Sequence, residues 1–441
     1  MEQRRKNLTQ LFIPICLETL LYMLSGMVDT LMLSSVNDQA VGAVGTANTY
    51  IGIFIIMFSV ISSGMVAVMT QNIGAGRPGV AYQARQLGLA FNAVLGVIMS
   101  LFLSLGAGTI LSGVGVADAL MQPAKTYLQI VGGFCILNAL IPICSSYLRA
   151  FGFSKEPLYA SIIGNVINFC LNAFFLFVLH KGVAGVATAT VISRIINLVI
   201  VVLLGAVLVK AKQHPERESN REVMGQIIRI GLPSACETAI YNVSMTLVIR
   251  FLNQMDAQGL NVTARSYTMQ ITNFSYCVGA ALAQANAIMT GWHIGAKEYD
   301  ACDRGTKKAA VIGVIVAVIL ETVFTLCSGW IMQLFSKDPQ MVSLVGKLLA
   351  IDIVLEMGRV TNLVYGQALK TSGDAVFPVV MGACFMILCS VGGTYLFGIR
   401  LGLLAVGAYI GMTGDECVRA VGMYLRWKSG KWKEKGLVKS R

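Results

Sequence analysis

Apolar residues gather into long runs, each closed by a short polar or Gly/Pro-containing segment, and the pattern occurs twelve times along the chain. The runs cover about 9–34, 42–71, 87–114, 126–148, 157–180, 183–209, 224–251, 259–291, 309–335, 341–369, 375–398 and 401–426. A bilayer core takes about 20 apolar residues as a helix, so each run predicts one membrane span, numbered 1 to 12 here. The longest polar stretch, Lys210–Glu222 (KAKQHPERESNRE), divides them six and six. Span 1 follows basic residues (MEQRRKNLTQLFIP), as a signal peptide would. Its apolar run continues to Leu33 without a small-residue cleavage site, and so it reads as a retained helix.

An internal repeat supports the same division. Pro14, Glu18, Thr19 and Tyr22 recur as Pro233, Glu237, Thr238 and Tyr241 at a constant offset of 219. Met69-Thr70 matches Met289-Thr290, and Ile73-Gly74-Ala75 matches Ile294-Gly295-Ala296. Leu148, Gly152 and Pro157 match Leu369, Gly373 and Pro378, and Gly185 matches Gly407. Both prolines are read near span starts, where a missing N–H costs little. The predicted organisation is an N-terminal six-helix lobe over 1–209, a linker over 210–222, a C-terminal six-helix lobe over 223–427 and a basic tail over 428–441. Six spans per lobe give the halves parallel topology about an axis along the membrane normal, an arrangement known from secondary transporters.

Composition agrees with the pattern. The 441 residues are 56% hydrophobic and only 13% charged, with a mean hydropathy of +0.70. An average soluble protein is about 25% charged. The fold class is therefore an all-α polytopic membrane protein of twelve transmembrane helices in two homologous six-helix bundles, with the lipid bilayer as its surroundings. The net charge of +12 is distributed as orientation demands. Of 34 Lys and Arg, 24 fall in the two termini and the loops on one side, and seven on the other: Lys125, Lys181, Arg250, Arg265, Lys337, Lys347 and Arg400. The positive-inside bias places both termini and Lys210–Glu222 in the cytoplasm, and excludes nucleic acid as the partner. The expected location is the plasma (inner) membrane.

Eleven cysteines are scattered without a CxxC pair, and His180, His214 and His293 form no cluster, so neither a metal centre nor a disulfide framework is indicated. No GxxxxGK[ST], HExxH or nucleophile elbow occurs, so the chain is read as neither an ATPase nor a membrane enzyme, and no resident cofactor is expected.

Candidate chemistry lies with ionisable groups inside spans, each costing about 2.5–3.5 kcal/mol at a helix centre on insertion scales. These are Glu18 and Asp29 on span 1, Arg194 on span 6, Glu237 on span 7, Asp352, Glu356 and Arg359 on span 10, and Asp415, Glu416 and Arg419 on span 12. Glu356–Arg359 and Glu416–Arg419 stand at i,i+3 spacing and read equally well as internal ion pairs. Glu18, Asp29 and Glu237 have no basic residue within a turn. Asp29 is the sharpest case, about 16 Å past Glu18 at 1.5 Å per residue and in the outer half of the bilayer. Span 5 offers Asn168 and Asn172 on one face, and span 6 offers Thr190. One carboxylate with amide and hydroxyl oxygens is a candidate site for a hard cation or a proton, although Asn in membrane helices also serves simply to bond helices together.

The strings PICLETLLYMLSGMVDTLML, QNIGAG after span 2, LRAFG before span 5 and GVAGVATATVISR on span 6 resemble the multidrug and toxic compound extrusion (MATE) family. The second half agrees through GLPSACET, EMGRVTN followed by LKTSGDAVFP, and RWKSGKW, so the resemblance covers nearly the whole chain. It implies cation-driven export by two six-helix lobes around a central cavity. It also implies that Asp29, Asn168, Asn172 and Thr190 form the cation-coupling site, holding Na⁺ or H⁺ at Asp29. Asn172 stands where other members carry a second Asp. Tyr241 and Arg359 stand where some members carry a Glu and an Asp, so the carboxy-lobe cation site of those members is expected to be absent. Glu18, Glu237, Tyr241, Asp352, Glu356 and Arg359 remain candidates for the substrate cavity, with Glu18 and Glu237 as counter-charges to cationic substrates.

The functional expectation is a cation-coupled (Na⁺ or H⁺) secondary antiporter, working as a monomer and exporting cationic or neutral organic compounds by alternating access. The 45 glycines fit close helix packing. The 21 Met and 19 Phe suit a polyspecific cavity, or ordinary gap-filling. A flippase for a lipid-linked precursor shares the architecture, but an anionic lipid calls for a basic cavity, whereas seven acidic residues face three arginines within the spans. A channel or receptor is the remaining alternative, against which the doubled unit and the deep acids argue.

Overall fold

A computed structural model describes residues 6–34, 38–113, 116, 118–210, 215–256, 258–333 and 335–438. Arg4, Arg5, Lys212, His214, Lys439 and Arg441, on which part of the topology and composition reading rests, lie outside the described residues. Among the described residues all regular structure is helical. The chain divides into two compact units, Met1–Leu232 and Pro233–Arg441.

Unit 1 contains α1 (Leu8–Ser34), α2 (Asp38–Gly74), α3 (Pro78–Gly113), α4 (Asp118–Tyr127), α5 (Ile136–Ala150), α6 (Lys155–Ala173) and α7 (Gly182–Leu208), and the first turns of α8 (Asn220–Met255). α4 runs through a π-helical turn, Leu128–Gly132, into α5 with a 43° bend. The paired Gly132 and Gly133 and the π turn are ordinary causes of such a kink. The core joins Leu33, Phe58, Leu103, Leu111 and Leu128, all at most 2% exposed. α6 packs against both α1 and α7.

Unit 2 contains the rest of α8, then α9 (Leu260–Gly295), α10 (Tyr299–Leu326), the single-turn α11 (Ser328–Met332), α12 (Pro339–Thr371), α13 (Val376–Phe385) and α14 (Leu404–Lys428). α13 continues through π-helical Met386–Val391 and Thr394–Arg400. α12 is the hub, packed against α9, α10 and α14. Its start follows the sequence closely. The Asp338 carboxylate accepts from the Gln340 amide at 2.9 Å, with Pro339 in the first turn, the side-chain cap and N1 proline expected at a helix N-terminus.

With α4 and α5 taken as one bent span and α11 set aside, the long helices number twelve among the described residues. Seven of them, and the bent pair, are apolar enough by length and composition to cross a bilayer. The other four, α8, α9, α12 and α14, are 36, 36, 33 and 25 residues long. Their length suffices for a span. Buried ionisable and polar residues dilute their hydropathy, and in α12 and α14 those residues are turned toward each other.

The boundary between units falls inside α8, ten residues beyond the end of the 210–222 polar stretch. The start of α8 belongs to unit 1 because it lies against α2 with almost no space between the backbones. A Cβ on Gly231 would sit 1.7 Å from the Val60 carbonyl oxygen, and one on Gly64 would sit 2.0 Å from that of Ile227. Pro233 is therefore not near a helix start. It lies more than three turns inside α8, whereas Pro14 lies within two turns of the start of α1.

Candidate functional site

In unit 1, α1 carries Asp29 past the face of α6. Asn172 Nδ2 donates to Asp29 Oδ1 at 2.7 Å and to Asn168 Oδ1 at 3.2 Å. The i,i+4 spacing of the two asparagines puts them on one helix face, and both are buried while Asp29 is half-buried. Asn172 Oδ1 is buried with no hydrogen-bond partner among the described residues. Asn172 thus turns its donor to the carboxylate and keeps an unused acceptor of its own, and a half-buried carboxylate with an unused buried acceptor nearby suits one positive charge.

Thr190 is buried on α7, but its hydroxyl donates to the Val186 carbonyl of its own helix at 2.9 Å. What α7 brings to Asp29 is the electrostatic field of Arg194, one turn beyond Thr190. The sequence left Arg194 without a role because nothing in chain spacing relates position 194 to position 29.

Glu18 and Glu237 differ from expectation. Glu18 Oε2 lies 2.5 Å from Arg149 Nη2 of α5, and Ser161 of α6 donates to its Oε1 at 3.4 Å. Glu237 Oε2 lies 2.6 Å from Lys370 Nζ of α12. Neither is a free counter-charge for a cationic substrate, since each is neutralised by a basic residue more than 130 positions away in sequence.

The candidates on α12 and α14 form one network. Arg359 pairs with Glu356 on its own helix and reaches Glu416 Oε1 at 3.5 Å. Arg419 holds Asp415 through two contacts of 2.8 and 3.0 Å and Glu416 at 2.9 Å. Asn362 donates to Glu416 and Ser390 donates to Asp415, each at 3.0 Å. The i,i+3 pairs read from the sequence are thus present, with cross-links between helices added. Asp352 and Glu356, at 2% and 0% exposure, present no surface to a substrate in this conformation. Arg359 is partly exposed above the Tyr276 ring, 6.0 Å from its centroid, and Tyr241 lies within its field.

One residue escaped the sequence reading. Glu321 on α10 is 0% exposed and belongs to the same buried region as Asp352 and Glu356. It is the single charged residue in the run VIGVIVAVILETVFTL, a signal as strong as that of Asp29 on span 1.

The MatE family model matches the chain twice, over residues 14–174 and 233–396, and so starts at both repeat prolines. The chain is 34% identical over 431 residues to a protein of Bacillus subtilis (strain 168) named "Uncharacterized transporter YisQ", covering 96% of this chain and 94% of that one. It is 24% identical over 454 residues to the "Probable multidrug resistance protein NorM" of Thermotoga maritima, covering 98% and 94%. A crystal structure of MATE in the straight conformation superposes with a TM-score of 0.87 at 19% identity, over 97% of this chain and 96% of that one. The outward-facing conformation of a multidrug resistance MATE family transporter gives 0.87 at 18% identity, over 98% and 96%. With twelve long helices in two units and the family pattern read once in each, the chain belongs to the MatE family of multi-pass membrane transporters.

Proposed function

We propose that the protein is a cation-coupled antiporter of the plasma membrane, with cytoplasmic termini, acting as a monomer. It exports cationic or neutral organic compounds by alternating access, and Asp29 binds the coupling ion, Na⁺ or H⁺. The observation that carries the reading is the Asp29–Asn172–Asn168 cluster, in which a half-buried carboxylate stands beside a buried carbonyl oxygen without a partner. Filling or emptying that place changes the charge of the α1–α6 contact. A ligand drives a conformational equilibrium only when it binds the two states unequally. Export of organic compounds is supported by the names of several relatives, probable multidrug resistance proteins. The flippase alternative loses ground because Arg359 and Arg419 are already engaged by carboxylates.

The test uses purified protein in proteoliposomes with ethidium as the cationic probe, under an imposed pH gradient or an imposed Na⁺ gradient. One gradient should drive dye movement. Asp29→Asn preserves shape, removes the charge and should abolish gradient-driven movement while the protein stays folded and inserted. If Asp29→Asn transports at the wild-type rate, coupling lies elsewhere and the assignment is wrong.

A further inference from the structure

Unit 2 buries more acid than base. Glu321 of α10, Asp352 and Glu356 of α12, and Asp415 and Glu416 of α14 lie among three arginines, Arg265, Arg359 and Arg419. The α14 carboxylates are engaged by Arg419, Arg359, Asn362 and Ser390, and Glu356 gives one oxygen to Arg359. What remains is both oxygens of Glu321, Asp352 Oδ2 and Glu356 Oε2. All are buried without a hydrogen-bond partner among the described residues.

A side chain of a different kind points to the same place. The Ser275 hydroxyl of α9, 1% exposed, faces the Glu321 carboxylate and completes no hydrogen bond in this geometry. Other charged and titratable groups surround the pair. Asp352, Glu356 and Arg359 act on Glu321 from α12. Glu416 of α14 acts on Asp352, and Tyr409 of α14 also faces Asp352, with Arg265 of α9 behind it.

Neighbouring carboxylates removed from water, with too few donors and too few cations, do not both keep their negative charge. Either a metal ion or a proton restores balance. A metal cage needs several hard oxygens converging on one point, and among the described residues no three His, Cys, Asp or Glu side chains converge in that way. A proton needs only one oxygen and a second to share it.

We propose that Glu321 and Asp352 form a proton site within unit 2, the proton held on Glu321 with Asp352 and the Ser275 hydroxyl about it, separate from Asp29. It stands whichever cation Asp29 takes. On α12, Glu356 and Arg359 follow Asp352 at successive turns, and Arg359 keeps 19% of its side chain exposed. Loading the site changes the charge buried between α10 and α12, so this unit senses protons in its own right.

Infrared difference spectroscopy of the full-length protein in lipid nanodiscs, without substrate, reads this directly. The C=O stretch of a protonated carboxylic acid should be present at neutral pH and bleach on alkalinisation. That band should survive Asp29→Asn, vanish in Glu321→Gln, and shift in frequency without vanishing in Glu321→Asp and in Asp352→Asn. The last two variants keep a carboxyl group at position 321 and cover the case in which Glu321→Gln does not fold. A band unmoved by substitutions at 321 and 352 overturns the proposal. So does a band removed by adding Na⁺ at constant pH, which would make this a metal site. Because Asp29→Asn is included, failure here is distinct from failure of the coupling assignment in unit 1.

Discussion

Glu237 Oε2 lies 2.6 Å from Lys370 Nζ, and the repeat counterparts of these residues, Glu18 and Arg149, make the same kind of contact at 2.5 Å in unit 1. The acid is four residues past the repeat proline in both units, and the base sits at the end of the fourth long helix of each unit, in α5 and in α12. The side chains are 11–16% exposed, which places both pairs largely out of water. Removing one partner of a buried pair leaves a stranded charge and costs about 3–5 kcal/mol, whereas removing both is often nearly neutral. Glu237→Gln or Lys370→Met alone should therefore lower the thermal unfolding midpoint in detergent markedly. The double variant should recover most of the loss, and additive losses would show that the pair is not energetically coupled.

Arg194 opposes any second positive charge brought to Asp29, since like charges repel most strongly where water is scarce. Arg194→Gln should therefore strengthen cation binding at Asp29. The half-saturating concentration of the driving cation should fall severalfold in the proteoliposome assay. An unchanged or raised value would mean that Arg194 does not act on the site.

The end of unit 2 is built on Asp374, between α12 and α13. Arg426 Nε contacts Asp374 Oδ2 at 2.7 Å and Lys435 Nζ contacts Oδ1 at 2.8 Å. Burial pushes the carboxyl up, but these two hydrogen bonds and charges outweigh it, so it sits below its ordinary value of 3.8. A carboxyl lowered on folding contributes stability above the unfolded value and loses it as pH falls through the folded one. Docking of the tail should be complete at neutral pH and weaken only below about pH 4. Asp374→Asn should release it at neutral pH, read as faster tryptic cleavage at Lys431, Lys433 and Lys435.

Gly373, the preceding residue, has φ +99°, and a Cβ there would meet the Lys435 carbonyl oxygen at 2.2 Å. Gly373→Ala should open the same tryptic sites without altering any charge, because both backbone strain and steric overlap oppose docking. Protection equal to wild type would show that the tail is held without this contact.

Gly231→Ala tests the α2–α8 contact. With a Cβ 1.7 Å from the Val60 carbonyl oxygen, one backbone or the other must move. Overpacking of this kind costs about 1–3 kcal/mol or more. Lower yield of folded protein and a lower thermal midpoint are expected, with gradient-driven transport per folded molecule falling less than in Asp29→Asn.

Twelve helical spans, their division into two related sets and the family were all legible in the chain. Hydrophobic runs of bilayer length are a local property, and repeats preserve their order whatever the packing. Spacing put Asn168 and Asn172 on one helix face, but it was the family resemblance that joined them to Asp29, 143 residues from Asn172. Other partners across helices were not legible. Arg149 is 131 residues from Glu18, and Lys370 is 133 from Glu237; no spacing rule links such positions, and only packing of helix against helix turned apparent free charges into pairs. The same holds for Arg194 beside Asp29, for Thr190 bonded to its own helix, and for Ser275 facing Glu321. The sequence by itself determined which residues enter the membrane, because the transfer cost of each side chain is summed along one helix. Tertiary structure decided which charges are neutralised there, because in a medium without water that depends on what lies within a few ångströms.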